Sequence, residues 1–299
     1  MIWKTKITRM TKTQYPLIMG AFAGMGVAEF AAPFSEAGGL GIITAMNYKT
    51  ISSFREELQK MKALTDKPFG INISVLPPQV KGGEDMKRTK EGYLEYVEEA
   101  LKVGVNIFTT SAYKAEFIGE RVHEAGGFWF HKAATMKHAQ SAQEAGCDAV
   151  TIVGLEGAGF KNPLTQTTLV NMTLGRKLLD IPLIAAGGIG DARGFLGALA
   201  MGADAVCFGT ALMVCNECPV SANLKQKWLG KDIFSKKYHK KIYHLQLRDS
   251  TLPSMAVGHR DTIISIKEFI SEIISHSEQI LRAWGFNSKE ITLISEVNK

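Results

Sequence analysis

Two glycine-bearing loops stand out as chemistry-carrying. Gly187-Gly188 follows the apolar run Leu183 to Ala186, and Gly209-Thr210 follows the apolar run Ala205 to Phe208. Glycine lets a backbone N–H come close to a phosphate, and the helix-like segment that starts at Ala192 adds the partial positive charge of a helix N-terminus. One such loop would read as a tight turn, but two on successive strand-like runs point to a phosphate grip. Asn72, in PFGINI, offers both a donor and an acceptor, which suits a heterocycle presenting both or, equally, a loop backbone in need of partners. His131-Lys132 ends the run FWFHK. Because side chains alternate along a strand, one of these two faces the barrel axis and the other faces the covering helices. A lysine at a barrel mouth binds phosphate or stabilises negative charge on a reduced cofactor. The stretch Gly154 to Pro163 sets one acid (Glu156), one base (Lys161) and one aromatic (Phe160) on flexible backbone, the composition of an active-site loop or of a charged surface loop.

The elements that must position these residues follow from the apolar runs. Eight have strand character: Leu17 to Met19, Leu40 to Thr44, Phe69 to Ile73, Ile107 to Thr109, Phe128 to His131, Ala149 to Val153, Leu183 to Ala186 and Ala205 to Phe208. Helix-period segments lie between them at Ala28 to Ala37, Ser52 to Leu64, Gly92 to Lys102, Lys114 to Ala125, Met136 to Ala145, Thr168 to Leu179 and Ala192 to Met201, with a further helix expected after Thr210. Strands too apolar to alternate, each followed by an amphipathic helix, indicate a parallel sheet covered by helices. Eight units predict an α/β fold of the (β/α)8 TIM barrel type. A doubly wound open sheet would place its ligand at one switch point, whereas polar or glycine residues here follow nearly every strand.

The unit count closes near Met213. The expected division is therefore a barrel over 1–215 and a helical C-terminal extension over 216–299, in which Thr262 to Trp284 has a clear helical period. That extension would cap the barrel, line the substrate pocket or contact a second copy. Leu76 to Thr89, with Pro77-Pro78 and Gly82-Gly83, reads as an extended loop at the catalytic face.

Composition narrows the classes. A chain of 299 residues that is 45% hydrophobic and 21% charged is globular rather than disordered. No apolar run approaches the roughly 20 residues needed to span a bilayer, and MIWKTKITRM lacks the apolar core of a secretory signal, so the expectation is a cytoplasmic protein with no membrane partner. Lys225, Lys227, Lys231, Lys236, Lys237, Lys240 and Lys241 cluster around the single acid Asp232. The cluster reads as a solvated face or as an attractor of anionic partners, but it lacks the motifs of a nucleic-acid module. Cys215 and Cys218 form a C-x-x-C without two further suitably placed ligands, so no metal site is expected.

The stretches YPLIMGAFAGMG, FSEAGGLGIIT, KPFGINI, HKAATMKHAQSAQEAGCDAV, IPLIAAGGIGDARGFLGALAMGADAVCFGTAL and ECPVSANLK, in this order, resemble the nitronate monooxygenase (2-nitropropane dioxygenase) family. That family also includes FMN-dependent enoyl-acyl carrier protein reductases and NADH:quinone reductases. The resemblance covers roughly Thr13 to Lys225 and implies FMN at the C-terminal ends of the strands. It implies Gly20, Ala21 and Phe22 beside the flavin ring, Asn72 and Lys132 on the flavin or its ribityl chain, Gly159 in the cofactor loop, and Gly187, Gly188, Gly209 and Thr210 on the phosphate. The implied activity is an FMN-dependent oxidoreductase acting on a small molecule, with NAD(P)H as one candidate donor and a homodimer as one candidate assembly. Two positions depart from the pattern. Gly20-Ala21-Phe22 replaces a methionine-bearing triplet, and Phe160 stands where the family has a catalytic histidine, which leaves the adjacent Lys161 as the candidate catalytic base if burial lowers its pKa. Other readings are an FMN-binding subunit with little activity of its own and a non-flavin barrel gripping a phosphorylated substrate.

Overall fold

The computed structural model describes residues 1–76, 88–157, 166–236 and 254–293. The barrel strands are β2 (Leu17–Met19), β3 (Gly41–Thr44), β4 (Phe69–Val75), β5 (Ile107–Ala112), β6 (Phe128–Ala133), β7 (Ala149–Val153), β8 (Leu183–Ala186) and β9 (Ala205–Phe208). They hydrogen-bond in the order β2-β9-β8-β7-β6-β5-β4-β3, and every pairing is parallel. A parallel bridge between Ile18 and Leu40 closes the ring, with Leu40 N–H donating to Leu17 O and Met19 N–H to Leu40 O, each at 2.9 Å. The eight expected runs are these eight strands, and β4, β5 and β6 each extend two to three residues further toward the mouth than the apolar runs indicate.

Between the strands lie α2 (Ala28–Glu36), α3 (Ile51–Leu64), α4 (Lys90–Lys102), α5 (Glu116–Glu124), α6 (Met136–Glu144), α7 (Thr168–Leu178) and α8 (Ala192–Ala200). Most begin on a side-chain cap: Thr50, Thr89, Thr135, Thr167 and Asp191 each accept a backbone N–H from the first turn. Two helix-to-strand junctions solve the same problem in the same way. Gly146 and Gly202, at φ +88° and +103°, turn the chain out of α6 and α8 in a conformation that costs other residues energy. Two residues later Asp148 accepts the Trp129 N–H at 2.7 Å and Asp204 accepts the Leu183 N–H at 3.1 Å, each tying its strand to the preceding one at the bottom of the barrel.

The segment after Thr210 differs from expectation. It is a single 3-10 turn, Thr210–Val214, not a covering helix. The face above β9 is covered instead by α10 (Ile266–Ala283), which packs between α8 and α2. Phe269 of α10 meets Phe208 of β9 edge-on, with ring centroids 5.1 Å apart. A capping box formed by Ser265 and Glu268 starts α10, and Ile266, Phe269, Ile270, Ile273 and Ile274 form its buried face. Outside the barrel, β1 (Ile2–Lys4) pairs in parallel with β10 (Glu290–Thr292), and α1 (Lys6–Thr11) precedes the first barrel strand. A last helix, α9 (Ala222–Leu229), carries part of the lysine cluster. Lys225 is not on a solvated face: it is buried, and its Nζ donates to Asn216 O at 2.9 Å. Lys237, Lys240 and Lys241 lie outside the described residues. No helix among the described residues is long and apolar enough to cross a membrane.

Candidate active site

The C-terminal ends of the barrel strands surround a cavity of about 420 Å³, within the usual range for a small-molecule or cofactor site. Its inner wall is set by strand register. Ser74 of β4 is paired with Ser111 of β5, Ser111 with Lys132 of β6, and Lys132 with Thr151 of β7, so four polar side chains form a row across four adjacent strands and all line the cavity. The Ser74 and Ser111 hydroxyls lie 2.9 Å apart. One turn of the pleat below, Asn72 is buried and does not line the cavity. Its amide Nδ2 donates to Thr109 Oγ1 at 2.9 Å, and its Oδ1 accepts the Ser74 hydroxyl at 3.2 Å. Asn72 therefore supports the wall from beneath.

The His131-Lys132 alternation resolves in favour of the lysine. Lys132 points into the cavity and forms no hydrogen bond or ion pair with any described residue. Burial lowers its pKa, and the neighbouring Cys207 opposes that shift. His131 points outward, with Nδ1 2.8 Å from Thr110 Oγ1. Thr110 Oγ1 also accepts the Trp129 indole N–H at 2.7 Å, so one hydroxyl joins Trp129 and His131 behind the β5–β6 seam. Burial pulls the His131 pKa down to about 4, in keeping with a neutral ring that holds the β5–β6 seam.

Across the cavity, Cys207 of β9 contributes a thiol, and burial pushes its pKa up to about 11 against the pull of Lys132. The other three cysteines, Cys147, Cys215 and Cys218, are buried away from the cavity, each with its thiol pKa raised by burial. Among the described residues no cluster of histidine, cysteine or acidic side chains is arranged to hold a metal.

Gly187, Gly188, Gly209 and Thr210 line the same cavity at the ends of β8 and β9. Gly187 and Gly188 have φ of +103° and +74°, and a Cβ at Gly188 would sit 2.9 Å from the Cβ of Glu156. The N–H groups of Gly187, Gly188 and Gly209 donate to no described residue. N–H donors on two adjacent loops and the Lys132 side chain, none with a partner among the described residues, border one cavity, a set of groups whose chemistry suits an anion. Thr210 Oγ1 accepts the Ser254 N–H at 3.0 Å and keeps its own proton to donate. This donor set fits the phosphate of a flavin mononucleotide, and the cavity is large enough to hold part of the ring system beside it.

Gly20, Ala21 and Phe22 form the opposite rim, in a loop held from behind. Thr44 Oγ1 accepts the Phe22 N–H at 3.1 Å. The Asn47 side chain accepts the Gly24 N–H at 2.7 Å and donates to Phe22 O at 3.2 Å. Met25, Met46, Leu76 and Ile189 complete a largely apolar mouth. Tyr93 also lines it, but its hydroxyl is bound to both N–H and C=O of Leu76, at 2.9 and 3.0 Å. Gly159, Phe160 and Lys161 lie outside the described residues, as does most of the loop expected over Leu76 to Thr89. Several lining residues were not singled out from sequence. Thr44 and Thr151 carry a readable signal, since each has inward parity on a strand whose end was located, whereas Ser74 lies beyond the end expected for β4. Ser254 and Ala256, which close the wall beside Thr210, have no local motif at all.

The sequence and the fold are similar to those of known proteins. The family model described as nitronate monooxygenase matches residues 4–240. A (3aS,4S,5R,7aS)-5-hydroxy-7a-methyl-1-oxo-octahydro-1H-indene-4-carboxyl-CoA dehydrogenase of Rhodococcus jostii is 30% identical over 230 residues, covering 77% of this chain and 61% of the relative. The chain thus spans about three fifths of that relative's length. A probable nitronate monooxygenase of Staphylococcus haemolyticus is 29% identical over 259 residues, covering 76% of this chain and 72% of the relative. The solved structure of FabK from Thermotoga maritima superposes with a TM-score of 0.79 at 25% identity, covering 94% of this chain and 98% of that one. With the parallel eight-stranded barrel and the matched span taken together, the chain belongs to the nitronate monooxygenase family of TIM-barrel oxidoreductases.

Proposed function

We propose that this chain is an FMN-dependent oxidoreductase with its flavin seated in the cavity at the C-terminal strand ends. The observation that carries this reading is that the Gly187, Gly188 and Gly209 N–H groups and the Lys132 side chain, which have no hydrogen-bond partner among the described residues, share one cavity. Gly187, Gly188, Gly209 and Thr210 would hold the phosphate. Lys132 would face the polar edge of the ring system, Gly20, Ala21 and Phe22 would border the ring, and Asn72 would act through Ser74. Gly159 would join the cofactor loop. Bound there, the flavin would supply two-electron transfer to or from a substrate over its exposed face. The remaining chemistry belongs to the protein: Lys132 neutralises negative charge at the cavity floor, and Phe22, Met25, Met46 and Leu76 exclude water at the mouth.

The mouth also bears on the substrate. Asn47 and Tyr93 are committed to backbone partners, and Arg88 adds a guanidinium to the lining. A mouth that is largely apolar but carries one guanidinium suits an enoyl thioester or a quinone reduced by NAD(P)H. The thioester in the name of the Rhodococcus relative points the same way. Lys161 is the proposed base for the nitronate reaction. Anaerobic mixing of the flavin-loaded protein with NADH, NADPH and a nitronate tests the reading by bleaching of the flavin spectrum. Rapid bleaching by a nicotinamide followed by reoxidation with an enoyl thioester or quinone supports the reductase. Bleaching by the nitronate that is lost in Lys161→Ala supports the oxidase, and no bleaching by any donor leaves a binding subunit and removes the enzyme.

A further inference from the structure

The cavity carries more positive charge than one cofactor phosphate uses. Lys132 of β6 lies on its inner wall, and Arg88, half-buried just before α4, lines its mouth. No aspartate or glutamate is among the described residues that line it. The sheet order fixes where Arg88 stands. Around the closed ring β2-β9-β8-β7-β6-β5-β4-β3, β4 and β8 are four strands apart, which in an eight-stranded barrel is diametrically opposite. Arg88 is on the connection from β4 to α4, whereas Gly187 and Gly188 follow β8. An anion held by the glycine loops therefore sits on the far side of the mouth from Arg88, and a second anion is needed to use this cation.

The local structure does not call for a cation at this position. Thr89 Oγ1 accepts the Gly92 N–H at 3.1 Å to start α4, and the Tyr93 hydroxyl holds both N–H and C=O of Leu76, so the start of α4 is pinned to the end of β4. A helix N-terminus favours anions and disfavours cations, so an arginine beside Thr89 does not serve the helix. The neighbouring Lys90 turns to α5, its ammonium 5.5 Å from the centre of the Phe117 ring, and Arg88 is the one of the two that lines the cavity. A guanidinium matches two phosphate oxygens with two parallel N–H donors. Apolar walls from Phe22, Met25, Met46 and Leu76 strengthen that attraction by lowering the local dielectric. With the flavin seated as proposed above, we propose that Arg88 determines specificity by binding a phosphate ester on the molecule that reacts at the flavin. The site then selects a phosphate-bearing nicotinamide or acyl thioester over a phosphate-free molecule with the same reacting group.

Two measurements on the flavin-loaded full chain test this and separate the two sources of phosphate. The rate of anaerobic flavin bleaching against concentration gives apparent Kd values for NADH, NADPH and reduced nicotinamide riboside, which lacks phosphate. Titration followed by flavin absorbance gives Kd values for coenzyme A and for pantetheine, which also lacks it. In at least one of the two, the phosphate-bearing ligand is expected to bind about 10- to 100-fold more tightly than its phosphate-free counterpart. Arg88→Gln should remove most of that difference by weakening the phosphate-bearing ligand, and Arg88→Lys should restore part of it. FMN affinity should stay the same in both variants, because the flavin phosphate lies across the mouth. The measurement that responds identifies the source as nicotinamide or thioester. A phosphate preference in neither, or one that survives Arg88→Gln, overturns the proposal and leaves the flavin site standing. A loss of FMN affinity in Arg88→Gln also overturns it, by placing Arg88 on the cofactor. Failure of the wild type to bind FMN overturns both.

Discussion

The carboxylate of Glu156 accepts the backbone N–H of Thr168 at 2.9 Å and the Thr168 hydroxyl at 3.1 Å, so the one acid of the loop after β7 is spent on the N-terminus of α7. The same residue packs beneath the Gly187-Gly188 loop, where only a glycine at 188 leaves it room. Glu156 therefore ties the start of α7 to the loop at Gly188, and its proposed role is positional. Glu156→Ala is expected to lower stability by about 1 kcal/mol through loss of the cap and to weaken flavin binding, as read by urea unfolding and flavin titration. Glu156→Gln, which can still accept, should lose less of both. A large shift in the pH–rate profile with unchanged flavin affinity would show a proton-transfer role instead.

Ala112 ends β5 directly after Ser111 with φ +79°, a region that disfavours residues bearing a Cβ. Strain at the end of a strand whose preceding residue lines the cavity is kept because it aims that residue. Ala112→Gly is expected to raise stability by about 1 kcal/mol, measured by thermal or urea unfolding. A loss of stability would show that Ala112 carries no strain.

Cys207 is the cysteine that lines the cavity, and its thiol is held at about 11. In flavin-free protein N-ethylmaleimide should label Cys207 slowly at neutral pH and faster as pH rises toward that value, because the thiolate is the nucleophile. Bound flavin should block the reaction, and peptide mapping should find Cys147, Cys215 and Cys218 unlabelled. Equal labelling with and without flavin would place the flavin elsewhere.

Glu99 of α4 lies between Arg55 Nε at 2.8 Å and Lys102 Nζ at 2.7 Å, and the hydrogen bonds from these cations, Arg55 first, hold its carboxyl at about 2. A carboxyl whose folded pKa lies below its unfolded value of 4.5 contributes stability that is complete above that value and is lost as pH falls toward 2. Urea midpoints measured across this window should fall less steeply for Glu99→Gln than for wild type. Parallel slopes would mean that the α3–α4 pairing adds no pH-dependent stability.

What the sequence made legible follows from where local signals are strong. The strand runs are short, apolar and bounded by glycine or polar residues, so β2, β7, β8 and β9 could be read to their ends. The two glycine loops were readable because residue type acts locally, whereas alternation narrowed the inward residue at the end of β6 only to His131 or Lys132. Asn72 shows the limit of such reasoning. Its amide suited a heterocycle, but its place one turn below Ser74 depends on how far β4 runs, which no apolar pattern marks. The role of α10 was less legible still. Its helical period was plain, but its seat between α8 and α2 arises because the chain after β9 makes only a 3-10 turn and leaves Phe208 uncovered. Ser254 and Ala256 reach the cavity through that same C-terminal excursion, and nothing in their immediate sequence announces it.

The account rests on a phosphate grip at Gly187, Gly188, Gly209 and Thr210, and titrating flavin-free protein with FMN and with riboflavin tests it most directly. Riboflavin has the same ring and ribityl chain but no phosphate. One FMN per chain is predicted, with riboflavin bound at least about 100-fold more weakly, and Gly188→Ala should remove most of that difference because its Cβ would collide with Glu156. Equal affinity for the two flavins, or no binding of FMN, would contradict the account.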